Sequence, residues 1–157
     1  MTCTILDLAM VEAIDIGVRL WIQPGVERLE MVRIVRDSLR VLPWVDLAEI
    51  RYSLVDAHVT VESSSADPVV EIVAERSSTR LDRMRLLDAT LVDSRVGRGA
   101  YVEEEANLDL SASVVENLCA PGELVVRAAQ GSSVTYDCDP DVLDVDADET
   151  SDIWPEP

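Results

Sequence analysis

The sequence predicts an α+β fold that is predominantly antiparallel β, with one amphipathic helix flanking a sheet or small barrel and a long β-hairpin. Three patterns lead to this prediction. Apolar residues alternate with other residues over 14–22, apolar residues recur at helical spacing over 25–42, and a second alternation covers 100–115 after a glycine-rich turn. A period of two is typical of a half-buried strand, and a period near 3.6 is typical of an amphipathic helix. One helix among several strands indicates the α+β class.

Length and charge indicate one domain with an acidic extension. The chain has 157 residues, of which 48% are hydrophobic, and a formal net charge of −18. A chain of this length is expected to form one domain with a sizeable core. Residues 137–157 hold nine acidic residues and no basic one. We therefore expect a single domain over 1–136 and, over 137–157, a tail that is disordered or laid along the surface.

The charge also restricts the environment and the partners. All 13 basic residues are Arg, against 31 acidic residues. Such a surface argues against binding nucleic acid through a basic patch and against attraction to anionic membranes. It suits a cytoplasm of molar salt, where the Debye length falls to about 3 Å and self-repulsion is screened. A GC-rich genome would explain the missing Lys but not the acidic excess, so we expect an extreme halophile or its virus, and a cytoplasmic or virion location.

The first elements are a strand over 14–22 and a helix over 25–42. The sequence Gln23-Pro24-Gly25 ends the strand, and Pro43 ends the helix. The predicted apolar face of the helix consists of Val26, Leu29, Val32, Val35, Leu39 and Leu42. This spacing places all six residues along one side of a helix.

Strands are predicted from residue 49 onward, and the longest form a hairpin over 86–115. Gly97-Arg98-Gly99 is its turn. A strand over 100–115 would be about 50 Å long at ~3.3 Å per residue, which exceeds the expected diameter of the domain. Either Glu104 marks a β-bulge that bends the strand back, or the end near the turn projects and pairs with another chain.

Residues 96–119 also form four successive hexads, each opened by an aliphatic residue, with Ala in fifth place in the first three. This run resembles the hexapeptide repeat of left-handed β-helix transferases. The resemblance implies coiled rungs and a transferase or its trimerising fragment. A period of six contains a period of two, so one long strand accounts for the same residues, and we favour the strand.

Residues of chemical interest do not combine into a site. His58, the sole histidine, lies at a turn, and a nucleophile–base pair would need a Ser or Cys beside it in space. The Asp residues over 137–148 lack the Gly and Glu of a calcium loop. Alternate residues of Glu103-Glu104-Glu105 face opposite ways in a strand. Cys3, Cys119 and Cys138 have no metal-ligand spacing and indicate reduced thiols. We predict no catalytic residue, no cofactor and no metal site.

Assembly is the class of function that these exclusions leave. We expect a non-enzymatic structural subunit that associates with copies of itself or with other assembly proteins through the hairpin. A helix beside strands and a projecting hairpin resembles, in architecture only, ring-forming tail and neck proteins of tailed viruses. The predicted interface consists of Val96, Arg98, Ala100, Val102, Glu104 and Trp154. The alternative is the hexapeptide-type transferase.

Overall fold

A computed structural model describes residues 2–5, 11–14, 19–22, 28–35, 38–41, 49–61, 68–97 and 99–155. All regular structure within these residues is β. The strands in chain order are β1 (Thr2–Ile5), β2 (Val11–Ile14), β3 (Arg19–Ile22), β4 (Arg28–Val35), β5 (Ser38–Val41), β6 (Glu49–Val55), β7 (His58–Val61), β8 (Val69–Glu75), β9 (Ser78–Leu81), β10 (Arg83–Val92), β11 (Arg95–Val96), β12 (Tyr101–Ser111), β13 (Val114–Leu118), β14 (Glu123–Ala129), β15 (Ser133–Tyr136), β16 (Val142–Ala147) and β17 (Asp152–Pro155).

The strands form two long parallel sheets. The first sheet has eight strands in the order β16-β14-β12-β10-β8-β6-β4-β2, and the second has seven in the order β17-β15-β13-β11-β9-β7-β5. β1 pairs with β3. From β4 onward, each strand of the first sheet is followed by a strand of the second, and the chain then returns to the first sheet one position further along. We call one such pair of strands a rung; the stack of rungs is a parallel β-solenoid.

This coiling explains how short connections give parallel pairing. Parallel neighbours in one sheet need a crossover of about a dozen residues or more. Here the strand of the other sheet is that crossover, so β9 carries the chain from β8 to β10. Equivalent positions therefore stack directly, as in the column Leu54, Ala74, Leu91, Leu110 and Ala128. All five side chains are buried, and the columns of this kind form one continuous apolar core.

A repeated corner joins the two strands of a rung. Asp56, Arg76, Asp93 and Ala112 each have a φ between 47° and 51°, and each is followed by a small buried residue. At four corners in a row this small residue is a serine, namely Ser77, Ser94, Ser113 and Ser132. The left-handed conformation turns the chain, and the small side chain fits inside the bend.

These serines form a hydrogen-bonded ladder along the solenoid. Each Oγ accepts from the backbone N–H of the equivalent residue one rung back: the Ser77 N–H donates to Ser94 Oγ at 3.0 Å, and the Ser94 N–H to Ser113 Oγ at 3.1 Å. Each Oγ also donates to a backbone carbonyl of its own rung, as Ser94 does to Val92 at 2.7 Å. The ladder therefore satisfies buried polar groups that the sheet pairing leaves open.

The α+β prediction, with its antiparallel sheet and its helix over 25–42, is wrong. Residues 28–35 and 38–41 are strands β4 and β5. The reason is a register slip between Leu29 and Val32 against β6, so that Leu29, Val32 and Ile34 lie opposite Ile50, Tyr52 and Leu54. The extra residue at this slip places Leu29 and Val32 three positions apart in sequence at consecutive inward register positions, and an interval of three also occurs on a helix face. The strand predicted over 14–22 matches β3 and the last residue of β2, and residues 15–18 lie outside the described residues.

The predicted hairpin over 86–115 is also wrong, because β10 and β12 run parallel. The stretch expected as one strand over 100–115 is divided at Ala112, where the chain turns into β13. Of the two alternatives for Glu104, the bulge is confirmed: the register between β10 and β12 slips between Val102 and Glu105. The hexads over 96–119 fall on coiled rungs, so the β-helix interpretation describes this segment better than the single strand that we favoured.

The acidic segment 137–157 contains two strands. β16 pairs in parallel with β14, and β17 pairs in parallel with β15. Both strands stand at the outer edge of their sheets. This segment, which we expected to be disordered or laid along the surface, adds a last rung to the solenoid. We call β16 and β17 together the terminal rung.

Candidate functional site

A groove runs along the corner between the two sheets, across several rungs. Its volume is about 840 Å³, and its polar lining includes Asp56, His58, Arg76, Ser78, Asp93 and Arg95. We call it the corner groove. The residues that directly follow the corner stack into a column on the outside of the second sheet: His58, Ser78, Arg95, Val114 and Ser133. The column thus places different chemical groups next to one another at the spacing of neighbouring strands.

His58 makes two side-chain hydrogen bonds in this groove. Its Nδ1 lies 2.7 Å from Ser78 Oγ, and its Nε2 lies 3.2 Å from Thr60 Oγ1. The Ser78 N–H donates to the Ala57 carbonyl at 3.0 Å, which fixes the backbone beside the histidine. The sequence lacked a visible partner for His58, and the stacking of rungs supplies one 20 residues away.

Two arginines flank this pair. Arg76 Nε donates to Asp56 at 2.7 Å and its Nη1 to Glu75. Arg95 donates to Glu116 from the next rung. The hydrogen bond to Asp56, followed by that to Glu75, raises the pKa of Arg76, and the bond to Glu116 raises the pKa of Arg95. Both guanidinium groups therefore stay charged at the mouth of the groove.

The second candidate surface is the outer edge of the terminal rung. Leu143 and Val145 lie in register with Leu124 and Val126, which are fully buried. Leu143 is nevertheless 45% exposed and Val145 41% exposed, because no further rung covers them among the described residues. Trp154 on β17 is 48% exposed, but it lies in register with Thr135 on the outer face of the second sheet, whereas its neighbour Ile153 packs against the core. The edge therefore presents core-type side chains beside the unpaired backbone groups of two edge strands.

A hydrogen-bonded turn closes the corner of the terminal rung. The Asp148 carboxylate accepts from Ser151 Oγ at 2.7 Å, from the Gln130 N–H at 2.8 Å and from Thr150 Oγ1 at 2.8 Å. These bonds, with that from Ser151 the strongest, lower the pKa of Asp148 to about 2. Ser151 Oγ in turn accepts from the Ser132 N–H at 3.2 Å and so continues the serine ladder.

Cys119 and Cys138 form a disulfide across one rung interval, with their Cα atoms 4.9 Å apart and a sequence separation of 19. The expectation of reduced thiols is wrong for this pair, because the coil brings residues one rung apart into contact. Asp137 completes a group whose possible ligand atoms lie within 4.8 Å of one another. While the two sulfurs are bonded to each other, neither is a free thiolate for a metal ion. For Cys3 the structure gives only its place in β1.

The structure separates the residues predicted as an interface. Val96, Ala100 and Val102 are buried in the solenoid core. Glu104 is exposed at the bulge, 4.0 Å from Arg85 Nη1. Arg98 lies outside the described residues. Trp154, at the edge of the second sheet, is the one apolar member of the set that is exposed.

The sequence does contain a signal for the rungs that the prediction missed. The corner residues Ala57, Ser77, Ser94, Ser113, Ser132 and Ser151 are separated by 20, 17, 19, 19 and 19 residues. An apolar residue follows two positions after each of them except Ser77, which is followed by Thr79. A repeat of about 20 residues is typical of stacked solenoid units and would have predicted parallel coils.

Comparisons with protein-family models, with curated proteins and with solved structures found no match. Among the described residues, none forms a helix long and apolar enough to cross a bilayer. The fold defines a parallel β-solenoid with two candidate surfaces, the corner groove and the edge of the terminal rung.

Proposed function

We propose that this protein is a structural subunit that assembles end to end, with the terminal rung of one copy seated against the N-terminal end of another. The observation that carries the proposal is the exposure of Leu143 and Val145 on the edge strand β16, at positions whose equivalents one rung back are fully buried. Solenoid repeats bury their apolar faces on their neighbours, and an end without a polar cap exposes what the next repeat would cover.

A second copy is a suitable occupant because its strands have the required direction and spacing. The first sheet ends in β16 on one side and in β2 on the other. Joining β16 of one copy to β2 of the next keeps every strand of the extended sheet parallel. Such a head-to-tail contact is heterologous and does not close upon itself, so it generates linear assemblies.

Charge favours this arrangement over a pairing of two C-terminal ends. Residues 137–157 carry nine acidic residues and no basic one, whereas residues 1–48 carry seven acidic residues and five Arg. Two C-terminal ends in contact would bring like charges together, which costs free energy even where salt screens it. Residues 1–48 have a net charge of −2 against −9 for residues 137–157, so an N-terminal partner is repelled less than a second C-terminal end would be.

A charge placed on the exposed edge tests the proposal. In molar KCl the unaltered chain is expected to form oligomers whose mass rises with protein concentration, measured by light scattering and sedimentation. The double variant Leu143→Asp/Val145→Asp is expected to stay monomeric with unchanged circular dichroism. Val142→Asp is the matched control, because Val142 belongs to the same strand but lies at the alternate position, in register with Glu123. A monomeric unaltered chain under all these conditions would refute the proposal.

Mixing the double variant with the unaltered chain distinguishes the two ways of pairing. In a head-to-tail assembly the variant still docks through its N-terminal end and stops growth, so oligomers shorten as its proportion increases. In a pairing of C-terminal ends the variant cannot join, and the oligomers keep their size. An unchanged size distribution would therefore overturn the N-terminal partner surface while leaving self-association intact.

A hexapeptide-type transferase is the second candidate, and the coiled rungs over 96–119 favour it. The residues that open the first three hexads, Val96, Val102 and Leu108, are buried as that interpretation requires. Its test is transfer of an acyl group from a thioester donor to small amine or alcohol acceptors. The comparison with tail and neck subunits depended on a helix and a hairpin that the described residues do not contain, and we do not extend the proposal to a virion role.

A further inference from the structure

We infer that His58 and Ser78 form a nucleophile–base pair in the corner groove, through which Ser78 Oγ accepts the acyl group of a small ester. This activity is separate from the assembly proposed above. The pair lies on β7 and β9, whereas the proposed assembly surface lies on β16 and β17.

The geometry meets the first requirement for such a pair. Ser78 Oγ and His58 Nδ1 are 2.7 Å apart, within the range for transfer of the hydroxyl proton to a base. Thr60 Oγ1 lies 3.2 Å from Nε2 on the other side of the ring. In the tautomer that carries its proton on Nε2, the ring donates to Thr60 and Nδ1 accepts from Ser78. Thr60 is thus a positioning residue that holds the ring and can accept the Nε2 proton of the reactive tautomer.

The fold holds the two side chains on rigid elements. His58 and Ser78 lie directly opposite each other in the parallel register of β7 and β9. The buried corner residues Ala57 and Ser77 precede them and are joined by a hydrogen bond from the Ala57 N–H to Ser77 Oγ at 2.9 Å. A reactive pair mounted on strands keeps its spacing better than one mounted on loops.

A cationic donor stands on the other side of the serine. Arg95 follows Ser78 in the column, one strand further along. Its guanidinium group has five N–H donors, and one of them donates to Glu116 on β13, the strand on the far side of Arg95 from Ser78. An ester carbonyl placed between Ser78 Oγ and Arg95 would develop its negative charge beside that cation. The groove, at about 840 Å³, has room for a small ester.

The proposed reaction balances without a further reactant except water. Ser78 Oγ forms a bond to the carbonyl carbon while its proton passes to His58, and the ester C–O bond breaks as that proton passes to the leaving alkoxide. Water then attacks the acyl-serine with His58 as the base, and the carboxylic acid and the serine hydroxyl are released.

Labelling with a fluorophosphonate tests the pair directly. In this reaction the Ser78 Oγ–P bond forms and fluoride leaves with the proton. The unaltered chain in molar KCl is expected to carry the label on the peptide that contains Ser78, located by mass spectrometry. Ser78→Ala should abolish labelling, and His58→Gln should slow it by about 10²-fold or more. Ser133→Ala is the matched control, since Ser133 occupies the same column between Val114 and Asp152.

Hydrolysis of p-nitrophenyl acetate supplies the second measurement. The rate should fall by about 10²-fold or more in His58→Gln. Thr60→Val should lower kcat with little change in KM while circular dichroism stays unchanged, and Thr60→Ser should restore the rate. A label found equally on Ser78 and Ser133, or a labelling rate unaffected by His58→Gln, would overturn the inference. Mapping the label in the unaltered chain keeps the test decisive even if a variant does not fold.

Discussion

The interior rungs and the terminal rung share one architecture but differ in what covers them. Both have a strand in each sheet and a serine at the corner, and β16 lies in the same register on β14 as β14 does on β12. Leu124 is fully buried in the interior, while Leu143, which lies in register with it on the terminal rung, is 45% exposed. Backbone pairing alone therefore does not make a core; a second neighbour must cover the inward side chains.

The interior rungs and the terminal rung also differ in whether their side-chain hydrogen bonds are buried or exposed to water. In the interior, Ser77, Ser94 and Ser113 are buried, and their hydrogen bonds replace water that has been excluded. In the terminal rung, the bonds of Asp148 and Thr150 lie on the exposed side, where water competes for the same groups. We expect substitutions of comparable chemistry to cost much more inside than at the end, and the predictions below test this expectation.

The largest effect is expected at Gly122, where an interior rung passes close to the bulge of β12. A Cβ atom on residue 122 would lie 2.1 Å from the Glu104 carbonyl oxygen, which belongs to the backbone and cannot rotate away. Gly122→Ala should therefore reduce the free energy of unfolding by about 3 kcal/mol or more. Chemical denaturation in molar KCl, followed by circular dichroism, measures the change.

Gly97→Ala provides the control for that substitution. A Cβ at residue 97 would lie 3.7 Å from the Thr79 carbonyl oxygen, an ordinary contact. Its effect should stay within about 0.5 kcal/mol. Equal losses of unfolding free energy in the two variants would show that the close approach to the Glu104 carbonyl is not the reason why residue 122 must be a glycine.

The second effect compares two leucines on equivalent faces. Leu110→Ala removes a fully buried side chain and should cost about 2–5 kcal/mol. Leu143→Ala, measured at a protein concentration where the chain is monomeric, should cost about 1 kcal/mol or less because that side chain is half exposed already. If the two substitutions cost the same, the terminal rung has a cover of its own and the contrast between the regions fails.

The same contrast explains what the sequence could and could not predict. Period-two alternation located several strands from residue 49 onward, such as β6 and β12, because each has one face inside, but it did not find β9, β16 or β17. It could not give their direction, since parallel and antiparallel strands alternate alike. Corners also reverse the alternation: Leu108 and Leu110 are buried before Ala112, and Ser113 and Val115 are buried after it. In the sequence this reversal appears as a break in the alternation at Val115. In the structure the chain has turned at Ala112 and entered the second sheet.

The candidate sites were harder to predict for a related reason. His58 and Ser78 are 20 residues apart, and Cys119 and Cys138 are 19 apart. Neither spacing corresponds to a motif, and both follow from the length of a rung. Trp154 was singled out because an apolar residue in an acidic segment indicates docking, an argument from composition that needs no knowledge of the coil.

The third prediction concerns the serine ladder. Ser94→Ala removes the acceptor of the Ser77 N–H inside the corner and should reduce the free energy of unfolding by about 1–3 kcal/mol. Ser151→Ala removes the acceptor of the Ser132 N–H at the terminal rung, where water can take its place, and should cost less than about 1 kcal/mol. Hydrogen exchange offers a local measurement: the Ser77 amide should lose protection in Ser94→Ala more than the Ser132 amide does in Ser151→Ala. The reverse order would contradict a ladder whose strength depends on burial.

The smallest effect is the acid response of the terminal corner. The folded chain holds the pKa of Asp148 at about 2, below its ordinary value of 3.8, because Ser151, Gln130 and Thr150 donate hydrogen bonds to the carboxylate. A carboxyl whose pKa is lowered on folding stabilises the folded state above its unfolded pKa, and this stabilisation is lost as the pH falls from 3.8 towards 2. Asp148→Asn should therefore make the terminal corner less stable at neutral pH and less sensitive to acid in that interval. Carboxyl chemical shifts followed by NMR in molar KCl measure the titration, and Asp144→Asn is the control that removes one charge from β16 outside this turn. A titration of Asp148 near 3.8 in the folded chain would show that the hydrogen bonds of this turn do not persist in solution. The terminal corner would then lack stable hydrogen bonds, just as the edge of β16 lacks a cover over its apolar side chains.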